Sequence, residues 1–137
     1  MSRADEQQPL SHQPVAGLYG QITHTDLSST DPAATRAWCE QVLGWAFTAT
    51  IPGGDGADDD YHLFAYSDQG GGGIHRVAPS ESPGAIPFVH VADARAAFEA
   101  AVEAGAEPIE APTRVMAGVT TAIVRAPGGV SIGFSGP

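Results

Sequence analysis

Apolar and polar residues alternate along "LYGQITHTDL", residues 18–27, and a period of two predicts a strand. The next stretch changes period. Ala34, Ala37, Trp38, Gln41 and Val42 recur at helical spacing, predicting a helix that opens at "STDPAATRAW" and buries that stripe. Thr30 or Asp31 can cap it, Pro32 sits where a missing N–H costs nothing, and Gly44 follows as a stop. Strands are then predicted at "WAFTATI", "DYHLFAYS" and "GIHRV". After the linker "APSESPGA" the same order returns: strand "IPFVHV", helix "DARAAFEAAVEAG", and strands "EPIEAP", "VTTAIVRA" and "VSIGFS". In the second helix Ala94, Ala97, Phe98, Ala101 and Val102 form the stripe, Asp93 the cap and Gly105 the stop. The chain is therefore a βαβββ unit used twice, an α+β fold.

Composition narrows the setting. At 137 residues, with 42% hydrophobic and 16% charged residues, one globular domain is expected over 17–137, made of modules 17–78 and 85–136. The polar segment 1–16, which includes His12, lacks the apolar core of a secretory signal and is expected to be a disordered tail. Six arginines, no lysine and a formal charge of −10 argue against nucleic acid and anionic membranes as partners. No apolar run approaches the length of a membrane span, and the lone Cys39 has no disulfide partner, so a cytoplasmic protein is expected. Seven of the 17 glycines fall in "PGGDGADDD" and "QGGGG", both expected to be mobile loops. Neither carries a motif: a strand follows "GGGG" where a dinucleotide fingerprint needs a helix, and the acidic loop lacks calcium-ligand spacing.

The run "ITHTDLSSTDPAATRAWCEQVLGWAF" resembles the opening of the vicinal oxygen chelate superfamily, which includes glyoxalase I, bleomycin-resistance and fosfomycin-resistance proteins and extradiol dioxygenases. The shared features are a strand bearing His, then Asp-Pro, a helix with an aromatic pair, and "LGW". The closing "VTTAIVRAPGGVSIGFSG" is similar to the superfamily's last two strands. Two departures stand out: the pair reads Trp38-Cys39, and the last turn reads Ala126-Pro127-Gly128-Gly129. The resemblance implies two modules whose curled mixed sheets form a cup, pairing within one chain or between two; it also implies a homodimer.

Metal-dependent relatives place ligands on the first and last strand of each module. A divalent ion needs several such groups to meet at about 2.0 to 2.2 Å. Carried onto this chain, the first position is His24, seven residues before Asp31, on one face with Ile22, Asp26 and Ser28. The symmetric position, seven before Asp93, is Ile86; the last-strand position is Gly133; and the first module's last strand offers Gly73 or His75, depending on register. At most two of the four positions can ligate. His24, His62, His75 and His90 all fall on strands and could partly converge as a substitute set.

The expected function is accordingly binding of a small hydrophobic or aromatic molecule without a complete metal site and without a cofactor. His24 and Asp26 are the candidate catalytic groups, and His62, Phe64, Tyr66, His75, Phe88, His90 and Phe134 the candidate ligand-binding ones. The alternative is a lyase, isomerase or dioxygenase using Zn, Ni, Fe or Mn held by His24, His75 and His90; a third possibility is a structural homologue without chemistry. Arg76 and Arg125 could grip an anion or serve surface acids. Trp45 and Phe47 divide between ligand wall and core; Trp38 is expected in the core, and Cys39 beside it as a packing thiol.

Overall fold

The computed structural model describes residues 16–54, 56 and 59–137. His12 and the tail up to residue 15, together with three residues of the acidic loop, lie outside the described residues. Strand β1 (Ile22–Ser29) leads to helix α1 (Pro32–Trp38), which continues as a π-helical turn (Cys39–Leu43), and then to β2 (Ala46–Ile51), β3 (Tyr61–Ser67) and β4 (Gly70–Arg76). The order recurs as β5 (Gly84–His90), α2 (Ala94–Glu103), β6 (Glu107–Met116), β7 (Val119–Ala126) and β8 (Val130–Gly136). The doubled βαβββ pattern and the α+β class are thus as expected. No helix among the described residues is long and apolar enough to cross a membrane.

The residues gather into two compact units, His24–Ala85 and Ile86–Pro137, the second with 16–23. In the first the strands run in the order β2-β3-β4-β1, with β1 and β4 parallel and the other pairs antiparallel. In the second the order is β5-β8-β7-β6, again with one parallel pair, β5 with β8. Strand β6 runs past "EPIEAP" to Met116 and breaks register with β7 at several points, as edge strands commonly do. The alternation from residue 18 overshoots at its start, because Ala16–Leu18 forms a 3₁₀ turn and Gly20 takes a positive φ of 88° before β1 begins.

The caps behave as read. Asp31 Oδ1 accepts from the Ala34 amide at 3.1 Å, and Asp93 Oδ1 from the Ala96 amide at 3.0 Å. Along α2 the expected stripe is the buried side, with Ala94 fully covered. Along α1 the stripe is the wrong one. Trp38 and Val42 are each 55% exposed, and the helix instead turns Pro32, Thr35, Arg36 and Cys39 inward. Specific contacts outweigh apolar periodicity here: the Ser29 and Thr35 hydroxyls bond at 2.7 Å, the Arg36 guanidinium lies 4.8 Å from the Phe47 ring centre, and Cys39 joins Phe64 and Ile74 in a buried cluster. The π turn also shifts the phase, so Gln41 and Val42 do not continue a 3.6-residue repeat. Trp38 is therefore surface, not core. Cys39 packs as expected, and burial pushes its thiol pKa up, away from thiolate chemistry.

The glycine run is a second correction. Gly70–Gly73 is not a loop but the first half of β4, and all four residues are buried. Glycine is a poor strand former because it leaves space unfilled. Here neighbours occupy that space: a β-carbon at Gly72 would meet the Thr25 carbonyl and the Phe64 ring, and one at Gly73 would strike the Tyr61 ring.

Candidate functional site

Alternation along β1 and β3 divides the first unit's side chains between two faces. Leu27, Phe64 and Ile74 pack toward α1 with Cys39, joined by Trp45 and Phe47. The opposite face carries His24 and Asp26 from β1, Tyr61 from β3 and His75 from β4, and these four form one continuous chain of hydrogen bonds. The Tyr61 hydroxyl donates to Asp26 Oδ1 at 2.9 Å, so it accepts from His24 Nε2, also at 2.9 Å. The other carboxylate oxygen, Oδ2, accepts from His75 Nε2 at 2.8 Å, and His75 Nδ1 faces the Arg76 carbonyl at 2.9 Å.

Protonation follows from the partners. Both nitrogens of His75 face acceptors, the Asp26 carboxylate and the Arg76 carbonyl, an arrangement that favours the doubly protonated ring. The bond to Asp26 raises the His75 pKa above the ordinary value of 6.5, against the opposing effect of burial. Tyr61 is held in its phenol form: burial first, then the Asp26 charge, push its pKa upward. Exposure is graded along the chain, from His24 at 6% through the Asp26 side chain at 22% to that of His75 at 37%. A small molecule arriving from solvent thus meets His75 and Asp26 first.

A pH dependence follows. A raised folded-state pKa makes a contribution to stability that is complete below the unfolded value near 6.5 and is lost as pH rises through the folded value. The difference in melting temperature between wild type and His75→Gln should be largest at pH 5–6 and shrink above neutrality, with a modest amplitude because the ring is partly solvated. A difference that grows with pH would show that His75 is not held protonated.

The other expected residues have different surroundings. His62 lies on the helix side, where its Nδ1 accepts from Arg36 at 3.3 Å. Phe64 is core at 4% exposure, stacked on Trp45 at 4.3 Å, and Tyr66 leans on the same indole from an exposed position. In the second unit His90 is buried beneath Tyr19, their ring centres 5.9 Å apart, and Phe134 is half-buried on β8. Phe88 is buried with its ring over Gly133, where any β-carbon would strike it. Arg125 pairs with Glu107 at 3.0 Å, and Arg76 donates to the Thr30 carbonyl at 2.9 Å.

Register decides which β4 residue matches Gly133. Asp26 pairs with Gly73 as Phe88 pairs with Gly133, so Gly73 is the counterpart and His75 lies two residues beyond. His24, Ile86, Gly73 and Gly133 thus stand at the four ligand positions, and only His24 carries a donor. Among the described residues no three His, Cys, Asp or Glu groups come together to hold an ion. These residues do not fit a divalent metal. Tyr61, the centre of the network, is the residue the sequence reading passes over. Its signal was the alternation of β3, which puts Tyr61 on the face opposite His62.

Comparison with known proteins places this architecture. The family profile described as Glyoxalase/Bleomycin resistance protein/Dioxygenase superfamily matches residues 21–134. Among solved structures the chain is similar to methylmalonyl-CoA epimerase from Mycobacterium tuberculosis, at 19% identity over 92% of this chain and 93% of that one, with a TM-score of 0.63. It is similar to a mutant 4-hydroxymandelate synthase from Streptomyces coelicolor, also at 19% and 0.63, over 93% of this chain but 38% of that one. A superfamily member from Vibrio splendidus 12B01 matches at 15% identity, covering 81% of this chain and 94% of that one, with a TM-score of 0.60. No curated protein matches. At such identities the structural likeness establishes fold, and the profile match establishes descent: the chain belongs to the glyoxalase/bleomycin resistance protein/dioxygenase superfamily.

Proposed function

We propose that this protein binds a small hydrophobic or aromatic molecule carrying a hydrogen-bonding group, without a divalent metal, at the sheet face that bears the His24–Tyr61–Asp26–His75 network. One observation carries the reading. A buried-to-exposed chain of polar side chains from three strands presents the paired His75 ring and Asp26 carboxylate to solvent, while the positions that would ligate a metal hold Gly73, Ile86 and Gly133. Asp26 and His75 are the contact groups, and His24 is the buried anchor that fixes Tyr61. Both Asp26 oxygens already accept hydrogen bonds, which suits recognition better than proton abstraction. A homodimeric, cytoplasmic protein belongs to the same proposal.

A metal-dependent lyase, isomerase or dioxygenase would draw on the likeness to an epimerase and a synthase. That likeness carries the fold alone, and among the described residues no three donors come together for such chemistry.

The test is a thermal-shift screen of planar aromatic and small hydrophobic compounds on chelator-treated protein. A true ligand at a hundredfold excess over its Kd should stabilise by about 2.7 kcal/mol, and Asp26→Asn or His75→Ala should abolish the shift. A panel that leaves melting unchanged would overturn the reading, as would a shift that appears only when a divalent ion is added.

A further inference from the structure

The superfamily's ligand positions and this chain's side chains disagree, and the disagreement has a specific shape. The Tyr61 hydroxyl stands 2.9 Å from His24 Nε2 and 2.9 Å from Asp26 Oδ1, at the point on which these two donors converge. We propose that Tyr61 takes the place of a cation: its phenol ties His24 to Asp26, and its ring, resting over Gly73, keeps a divalent ion out of the space between them.

Two observations support this. The spacing is that of hydrogen bonds and not of coordination, since Zn–N and Zn–O bonds are about 2.0–2.2 Å, and each donor would have to close in by roughly 0.8 Å to hold an ion there. The ring also has no retreat toward β4: it lies where the β-carbon of any other residue at position 73 would be. In the second unit Phe88, at the position that matches Asp26, lies over Gly133. In each unit, then, an aromatic ring covers a glycine at the last-strand ligand position. Removing the Tyr61 ring would leave His24 Nε2 and Asp26 Oδ1 facing the space the phenol now fills, with His75 2.8 Å from Asp26 Oδ2.

The inference deepens the metal-independent reading above and is tested apart from it. Chelator-stripped wild type, Tyr61→Ala, and Tyr61→Ala combined with His24→Ala are titrated calorimetrically with Zn²⁺, Ni²⁺ or Mn²⁺ alone, with circular dichroism confirming the fold. Wild type should take up no stoichiometric metal. Tyr61→Ala should bind Zn²⁺ or Ni²⁺ at least roughly tenfold more tightly than wild type, and the double variant should lose the gain, as removal of a partner from a metal site does. A folded Tyr61→Ala that binds no better than wild type overturns the inference and leaves the ligand-binding reading standing. Stoichiometric metal on wild type, lost on His24→Ala, overturns both, and that measurement decides the matter even if Tyr61→Ala does not fold.

Discussion

Gly133→Glu, which would restore the superfamily's last-strand carboxylate, should destabilise the protein by about 4 kcal/mol or more and create no metal site. Two costs add. The new β-carbon overlaps the buried Phe88 ring, and overpacking of a filled core typically costs about 1–3 kcal/mol. The carboxylate is also carried into a buried position on β8, where an unpaired charge costs several kcal/mol unless it stays protonated. Against a typical total stability of about 5–15 kcal/mol, that is a large share of what holds the fold together. Urea unfolding of Gly133→Ala and Gly133→Glu measures the steric and charge parts separately. Adding Phe88→Ala should recover part of the steric loss, because the two residues touch and their effects are coupled. An unchanged unfolding midpoint for Gly133→Ala would mean that the ring does not lie over position 133.

Phe64→Ala should cost about 3–5 kcal/mol, the range for deleting a fully buried aromatic ring. The ring stacks on Trp45 at 4.3 Å and 11°, packs obliquely on Phe47 at 5.6 Å, and completes the cluster with Cys39 and Ile74. Its loss opens a cavity that the glycines of β4 cannot fill, since they have no side chains to move into it. Trp45 fluorescence should report the change directly, and a loss under about 1 kcal/mol would show that the cluster is not the first unit's core.

The two substitutions probe the same principle from opposite sides. Glycine-lined strands work because rings from neighbouring strands fill the space above them, so adding an atom at the glycine and removing the ring are both destabilising. That relation joins fold to site, because Tyr61 over Gly73 is at once packing and the centre of the polar network.

The order of elements, the duplication, both helix caps and the buried stripe of α2 could be read from the chain because each is set by contacts a few residues apart: a carboxylate three residues before an amide, a side-chain period of two or 3.6. His24 and Asp26 could be placed on one face for the same reason, and Ile86 and Gly133 could be seen to lack donors by residue type alone. Three things needed the tertiary structure. The inward face of α1 was decided by Ser29, Phe47 and the π turn against the apolar stripe of its own sequence. The glycine run became a strand because rings elsewhere in the chain fill its empty side-chain space. Tyr61 became the hub of the site through partners 35 and 37 residues away, and His75 has its pKa raised by a carboxylate 49 residues away. Local periodicity fixes which way a side chain points relative to its neighbours in sequence; what it meets there depends on strand pairing and register, which the chain acquires only on folding.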